Sequence, residues 1–531
     1  MAKRSQSLSS LLPGTLAAVA ILGLLFSAML SLWLFAFDQT DLNFIFSPAL
    51  WRILGFTLFQ AALSTVFSVV FALILAKAYY PLRFYGKALL LRLFALTFVL
   101  PSLVLVSSLP SIYGRHGGLA TLCQWFGVDY SFSLYGIQGI IIAHVFYNFP
   151  FAFRLFYQSL AAIPLEQRQL AAQLGFSYWQ HVRYLEWPVL LRQIPSIASL
   201  IFMLCFTSFA VVLTLGGGPK NTSFEVAIFQ ALRDFELDKA VILSLVQTLL
   251  CLLFMVLVRR LTPPSIMASQ VEHPNHIGTL STLPTLISYI IVGLSALFIL
   301  SPLVVIVING MAAFSITLIT STLIQAILNS LTIAFCAATV TLLLAISLLW
   351  TYSRLLVRGY RWLSESMIMM GSLILIIPTM VLASGLFLLF FTLSNVSWFI
   401  AILVIISNGL ATLPFALKIL EGPMETIYQR YHCLSQSLNI TGVNHFYWIE
   451  VKGLKTLFCF TFAFACMMSM GDFGIIALFG QPDFATLPYY LYQQMGSYQQ
   501  QQADFTALLL LMICLLLFYL TEILMRHYDR T

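Results

Sequence analysis

Apolar runs of about 20 residues recur along the whole chain: 11–37, 53–77, 88–112, 136–159, 193–215 and 240–258, then 283–309, 325–350, 366–392, 397–420, 456–479 and 504–525. A run of that length carries a helix across the hydrocarbon core of a bilayer, so the pattern predicts twelve membrane helices. They fall into two groups around a polar stretch, 259–282, which contains RRLTPPS and has no apolar periodicity. The predicted organisation is a first transmembrane repeat over 1–258, a cytoplasmic linker over 259–282 and a second repeat over 283–531. The first run follows Lys3 and Arg4 but is too long for a signal-peptide core, and no small-residue cleavage site follows it. It reads as an uncleaved span.

Composition agrees with lipid as the main solvent. The 531 residues are 60% hydrophobic and 8% charged, with mean hydropathy +0.95, whereas a soluble chain carries about a quarter charged residues. The net charge of +7 does not point to nucleic acid, because the basic residues are spread between apolar runs without interleaved aromatics. They report topology instead. With a cytoplasmic N-terminus, only Arg52, Arg115, Lys220, Arg233 and Lys239 of the 26 Lys and Arg fall outside, and the bias repeats in both halves. This predicts both termini inside. The eight cysteines are scattered singly, with neither a disulfide framework nor a metal spacing. Cys433 is expected in an inside polar loop and Cys123 outside.

Shifted by 264 positions, the chain matches itself without gaps. Pro150-Phe151-Ala152 falls on Pro414-Phe415-Ala416, Leu170 on Leu434, Leu174 on Leu438, His181 on His445, Glu186 on Glu450, Phe209 on Phe473 and Gly216 on Gly480. In both copies the match starts in the fourth run of a half, crosses a polar loop and ends in the fifth. An even number of spans per half gives the halves the same orientation, related by an axis along the membrane normal, with a central path between them.

The loop over 160–190 gathers Glu166, Arg168, His181, Arg183 and Glu186 in a chain otherwise poor in charge. Pro164 suits the first turn of a short helix, Glu166 is favoured near a helix start, and small Ala171 and Ala172 would let a partner's surface come close. Gly175 suits the left-handed residue that stops a helix. Asn439 occupies its place in the second copy and tolerates the same conformation. The alternative is an amphipathic helix resting on lipid headgroups.

Gln169-Leu170-Ala171-Ala172, then Gly175, then Pro188 resemble the coupling loop (E-A-A-x3-G-x9-I-x-L-P) of bacterial ATP-binding-cassette importer permeases. Gln169 stands for the usual Glu. The second copy, with Arg430, Cys433, Ser435 and Asn439, departs further, and Lys452 replaces the proline. The stretches IQGIIIAHVFYNFPFAFRL (137–155), SLIFMLCFTSFAVVLTLGGGP (199–219), MGDFGIIALFG (470–480) and TLPYYLYQQMGSY (486–498) resemble the fused twelve-span permeases of the thiamine and ferric-iron importers, the thiamine/thiamine-pyrophosphate branch above all. The resemblance implies an all-α polytopic membrane protein made of two tandem six-helix type I permease repeats in a bacterial inner membrane. It also implies two cytoplasmic ATP-binding subunits and a periplasmic thiamine-binding protein as partners, beside membrane lipid, with no nucleic acid and no cofactor. Ferric iron is the alternative substrate.

For the path itself, Asp472 is the one acid inside a predicted run away from its ends. A mid-membrane carboxylate costs about 2.5–3.5 kcal/mol on insertion scales, so it should face protein or water. It either attracts a cationic ring or bonds the backbone at a kink between Gly471 and Gly474. Its repeat mate is Ser208. Phe209, Phe473, Gly216 and Gly480 complete the candidate path set. Tyr489, Tyr490, Tyr492 and Tyr498 offer ring stacking or interfacial anchoring, and His144 reads as a hydrogen-bonded packing residue. No GxxxxGK[ST] loop is present, so the chain is not itself the ATPase. An ion-coupled carrier is the alternative of a different class. It would want a network of acids and bases in its spans, and the sequence offers little beyond Asp472. A membrane enzyme would want a polar constellation on one face, which does not appear.

Overall fold

In lipid every backbone N–H and C=O needs an internal partner, and the chain meets this demand with helices. The computed structural model describes residues 11–39, 42–97, 100–261, 282–375, 377–390, 397–440, 442–480 and 484–528. The first half runs α1 (Leu12–Gln39), α2 (Pro48–Tyr79), α3 (Lys87–Thr97), α4 (Ser102–Tyr113), α5 (Gly118–Trp125), α6 (Ile137–Ala161), α7 (Leu165–Gln173), α8 (Tyr178–His181), α9 (Trp187–Phe206), α10 (Ala210–Leu215), α11 (Phe224–Arg233) and α12 (Leu237–Leu261). The second half runs α13 (Thr282–Ala312), α14 (Ser321–Val357), α15 (Arg361–Ser372), α16 (Thr379–Leu389), α17 (Ser397–Ser437), α18 (Val443–His445), α19 (Lys452–Met470), α20 (Gly474–Phe479), α21 (Leu487–Gly496) and α22 (Gln500–Tyr528). Most of the expected linker lies outside the described residues.

Among the described residues ten helices are long and apolar enough to cross a bilayer. The other two predicted runs, 88–112 and 366–392, are not single helices. Each is two short helices hinged at a proline, α3 and α4 at Pro101 (ψ 134°) and α15 and α16 at Pro378 (ψ 150°). Proline has no N–H to continue a ladder, and its extended ψ ends the preceding turn. The Pro101 carbonyl, which accepts the first N–H groups of α4, also accepts a hydrogen bond from the Tyr147 hydroxyl at 3.1 Å. The fifth run of each half is interrupted as well, over 207–209 between α9 and α10 and over 471–473 between α19 and α20. The two interruptions coincide at the 264-residue offset.

The helices form two compact units. One comprises 46–227 and 250–313, the other 1–45, 228–249 and 314–531. In the first, α2 packs along α6 and α9, and α13 lies against α2 and α4. Ser64 bonds His144 Nδ1 at 3.2 Å, so that histidine has the packing role expected of it, and Gln60 donates to the Cys205 carbonyl at 2.8 Å just before the break in the fifth span.

In the second unit α14 packs on α17 and α19, with Thr341 bonded to Thr412 at 2.7 Å and to the Gly409 carbonyl at 3.0 Å. Small residues with inward hydroxyls are what hold helices together where no hydrophobic effect separates helix from solvent. Helix α1 belongs to this unit. It seats against α14 and α16, where the Gly14 N–H donates to Thr351 Oγ1 at 3.0 Å and Ser31 Oγ to the Gly385 carbonyl at 2.7 Å. The first helix of each linear half therefore packs on helices of the other half.

Candidate functional site

The two polar loops are built alike at their ends. In the first copy α6 stops at Ala161, Pro164 turns the chain, and α7 begins at Leu165. Arg168, 7% exposed, folds α7 back: its guanidinium donates to the Leu160 carbonyl at 2.6 Å and lies 4.9 Å from the Tyr80 ring centre. Burial lowers the pKa of that guanidinium, and the Glu186 carboxylate offsets part of the effect.

The helix closes with a Schellman pattern. The Leu174 N–H donates to the Leu170 carbonyl, Gly175 to Ala172 and Phe176 to Ala171, at 2.9, 3.1 and 3.0 Å. In the second copy Leu438 donates to Leu434, Asn439 to Gln436 and Ile440 to Ser435, at 3.1, 3.1 and 2.8 Å. Gly175 has φ +66° and Asn439 φ +55°. The left-handed stop is the same in both.

Two expectations change here, and the second copy differs from the first in one element. The second loop has no separate short helix, because Tyr428 stands where Pro164 would break the chain, so α17 runs 41 residues without interruption. Cys433 consequently lies on a helix, exposed, rather than in a loop. Ala171 is 3% exposed and its mate Ser435 2%, so both are packed against the chain's own helices and present no surface to a partner. Glu166, Gln169, Leu170, Ala172 and Leu174 are exposed in the first copy, and Arg430, Cys433, Leu434 and Leu438 in the second. Spacings of three and four residues put Glu166, Gln169 and Leu170 on one face of α7, and Arg430, Cys433 and Leu434 on one face of α17, which Leu438 continues just past its end. The paired leucines, Leu170 and Leu174 with Leu434 and Leu438, are 54–64% exposed.

Beyond each stop the chain re-enters through a π-helical turn, Val182–Glu186 in one copy and Phe446–Val451 in the other. Pro188 follows as the second residue of α9, directly after the π turn. The helical segments thus begin at Tyr178 and Val443, well before the apolar runs. Asp472 is therefore not the one acid held inside a span; Glu186 and Glu450 are there too, 6% and 1% exposed.

Each has partners that the sequence reading missed. Glu186 pairs with Lys77 at the end of α2 and lies 3.5 Å from His181 Nδ1. Glu450 pairs with Arg354 at the end of α14 and with His445 Nδ1, both at 3.0 Å. A signal was present: His181–Glu186 and His445–Glu450 share a spacing of five, which only a π turn brings together.

The candidate path residues sit at the breaks. Ser208 and Phe209 lie between α9 and α10, and Asp472 and Phe473 between α19 and α20. Phe209 and Phe473 are buried. The Asp472 carboxylate accepts the backbone N–H groups of Gly474 and Ile475, which caps α20. Its Oδ2 has no hydrogen-bond partner among the described residues, and Asp472 lines a small cavity with Ser330, Asn408, Ser469 and Thr486. The geometry favours the backbone-bonding role. Asp472→Asn, which keeps an acceptor, is expected to leave the KM for uptake within about twofold, while Asp472→Ala loses about 1 kcal/mol of stability with the cap. A large rise in KM for the Asn variant would instead assign the charge to the path.

Gly216 and Gly480 end α10 and α20 at close backbone approaches. A Cβ would meet the Val212 carbonyl oxygen at 2.5 Å in one and that of Ile476 at 2.6 Å in the other. Of the four tyrosines, Tyr489 bonds the Gly480 carbonyl, Tyr490 approaches Thr322, and Tyr492 packs on Phe473 with ring centres 4.9 Å apart. Tyr498 is exposed.

Ten membrane-length helices among the described residues, fifth spans broken toward their C-terminal ends and a duplicated helix-stop loop define a polytopic membrane permease. Residues 68–264 match the family described as binding-protein-dependent transport system inner membrane component. Over its whole length the chain is 43% identical to the thiamine transport system permease protein ThiP of Salmonella typhimurium, covering 100% of both chains. It is 43% identical to that of Escherichia coli K12 over 98% of both, and 42% identical to that of Haemophilus influenzae over 87% of this chain and 86% of the relative. The chain belongs to this family of thiamine transport permeases.

Proposed function

We propose that the chain forms the membrane path of an ATP-driven importer for thiamine or thiamine pyrophosphate, with both termini cytoplasmic. A periplasmic binding protein delivers the vitamin, and two separate ATP-binding subunits dock on the cytoplasmic loops through the exposed faces ending at Gly175 and Asn439. The observation that carries this reading is the duplicated stop: two helix ends with the same hydrogen bonds and the same exposed leucine pair, 264 residues apart. A lipid-resting helix has no need to repeat a Schellman closure and its flanking pair in register.

The test is reconstitution of the full chain with its ATP-binding subunits in proteoliposomes, measuring labelled thiamine uptake with and without ATP and binding protein. Uptake should require all of them. Accumulation driven by an ion gradient with the permease alone would place the chain among ion-coupled carriers, and ATP-dependent uptake of ferric ion in preference to thiamine would move it to the iron branch.

A further inference from the structure

The two charge clusters are the same device built twice, partly buried in the first copy and fully buried in the second. In each, an acid on the π turn that opens the fifth span, Glu186 or Glu450, bonds a cation from the last turn of a second span, Lys77 or Arg354, and the imidazole five residues earlier. The same span ends also hold the helix that carries the stop. Tyr80, just after α2, stacks on Arg168 of α7, and the Arg354 guanidinium lies 4.8 Å from the ring centre of Tyr428 on α17. Arg354 is further fixed by the Trp350 ring at 3.5 Å and by a hydrogen bond to the Trp350 carbonyl at 2.9 Å. Lys77 lies 4.8 Å from the Tyr178 ring.

Buried ion pairs are poor sources of stability, since desolvation cancels much of the attraction, but they fix one arrangement among several. At the 264-residue offset Lys77 falls on Thr341, so the two cations are out of register, yet both sit in the last turn of a second span and meet acids that are in register. Packing alone does not call for that.

We propose that Lys77–Glu186–His181 and Arg354–Glu450–His445 are clasps that lock each docking helix and the start of each fifth span to the end of a second span. Displacement of the loop by a bound subunit then moves the second and fifth spans as one body. The six side chains are positioning residues. This rests on the coupling role proposed for the loops.

The experiment uses the full chain reconstituted with its ATP-binding subunits, carrying Glu186→Gln, Glu450→Gln, or the exchanges Lys77→Glu with Glu186→Lys and Arg354→Glu with Glu450→Arg. Three quantities are read: monodisperse permease, ATP-binding subunit retained, and thiamine accumulated per ATP hydrolysed. The Gln variants are expected to keep the subunits and to hydrolyse ATP while accumulation per ATP falls about tenfold, and the exchanges are expected to restore it. Wild-type accumulation per ATP in both Gln variants would overturn the proposal. Should a Gln variant not fold, the exchange decides: a folded exchange with wild-type accumulation per ATP supports the clasp, and one without it overturns the clasp. Failure of the unmodified chain to retain any ATP-binding subunit is a separate result, and it removes the coupling reading itself.

Discussion

Gly175→Pro is expected to abolish ATP-driven uptake while the permease still reaches the membrane in near-normal amount. Gly175 has φ +66° and its N–H closes the end of α7 by donating to the Ala172 carbonyl at 3.1 Å. Proline holds φ near about −65° and has no N–H, so the stop cannot form and the leucine pair before it loses its orientation. The position is exposed, outside the bundle, and a Cβ there meets nothing within 4 Å, so the damage stays local. Two milder substitutions calibrate it. Gly175→Ala suffers only the left-handed strain of about 1–2 kcal/mol and should retain part of the activity. Gly175→Asn should come closer to the parent, because Asn439 already occupies that conformation in the second copy. Uptake at the parent rate by the proline variant, measured per permease in membranes, would refute a coupling role for this loop.

Gly385→Leu should have the largest effect on stability. A Cβ at Gly385 would lie 2.4 Å from the Ala28 carbonyl oxygen and 2.8 Å from its carbon. The obstacle is backbone, so no side chain can rotate away, and the Ser31 hydrogen bond to the Gly385 carbonyl is lost as the helices separate. Overpacking costs about 1–3 kcal/mol where neighbours can relax, and this contact should fall at or above the upper end. Gly23→Leu, on the same α1 but with nothing within 4 Å of a Cβ, is the control and should be neutral. Thermal unfolding in detergent, together with protease protection of the α1 segment, reads both. Equal melting of the two variants would mean that α1 is not seated on α16.

Much of this architecture is legible in the apolar pattern, because length and hydropathy suffice to place helices in lipid. The hinges at Pro101 and Pro378 are not, since a proline in an apolar run can equally be absorbed into a helix, as Pro150 and Pro302 are. The stop at Asn439 can be read from residue chemistry, because few side chains tolerate a positive φ. The face of α7 cannot: Arg168, a residue expected in solvent, is drawn under the helix by Tyr80 and the Leu160 carbonyl, and this turns Ala171 inward. Glu186 and Glu450 escaped notice as span residues because hydropathy windows end where the charges begin. Their cations come from helices over a hundred residues away in one copy and nearly a hundred in the other, separations of 109 and 96, and no local pattern encodes such pairs.

The exchange of first helices has a consequence for how the protein is made. Gly14 and Thr351 are 337 residues apart, and at about 5–20 residues per second of synthesis α1 is in the bilayer for roughly 20 seconds to a minute before its seat on α14 is translated. During that interval a helix whose inward face carries Gly14, Ala28 and Ser31 has only lipid or the insertion machinery to lie against. Cutting the gene between the halves would turn that wait into a search between two molecules. The first product would carry a helix whose seat is on the second, and the second a helix, α13, whose seat is on the first. Neither product could complete its packing until both were in the same membrane.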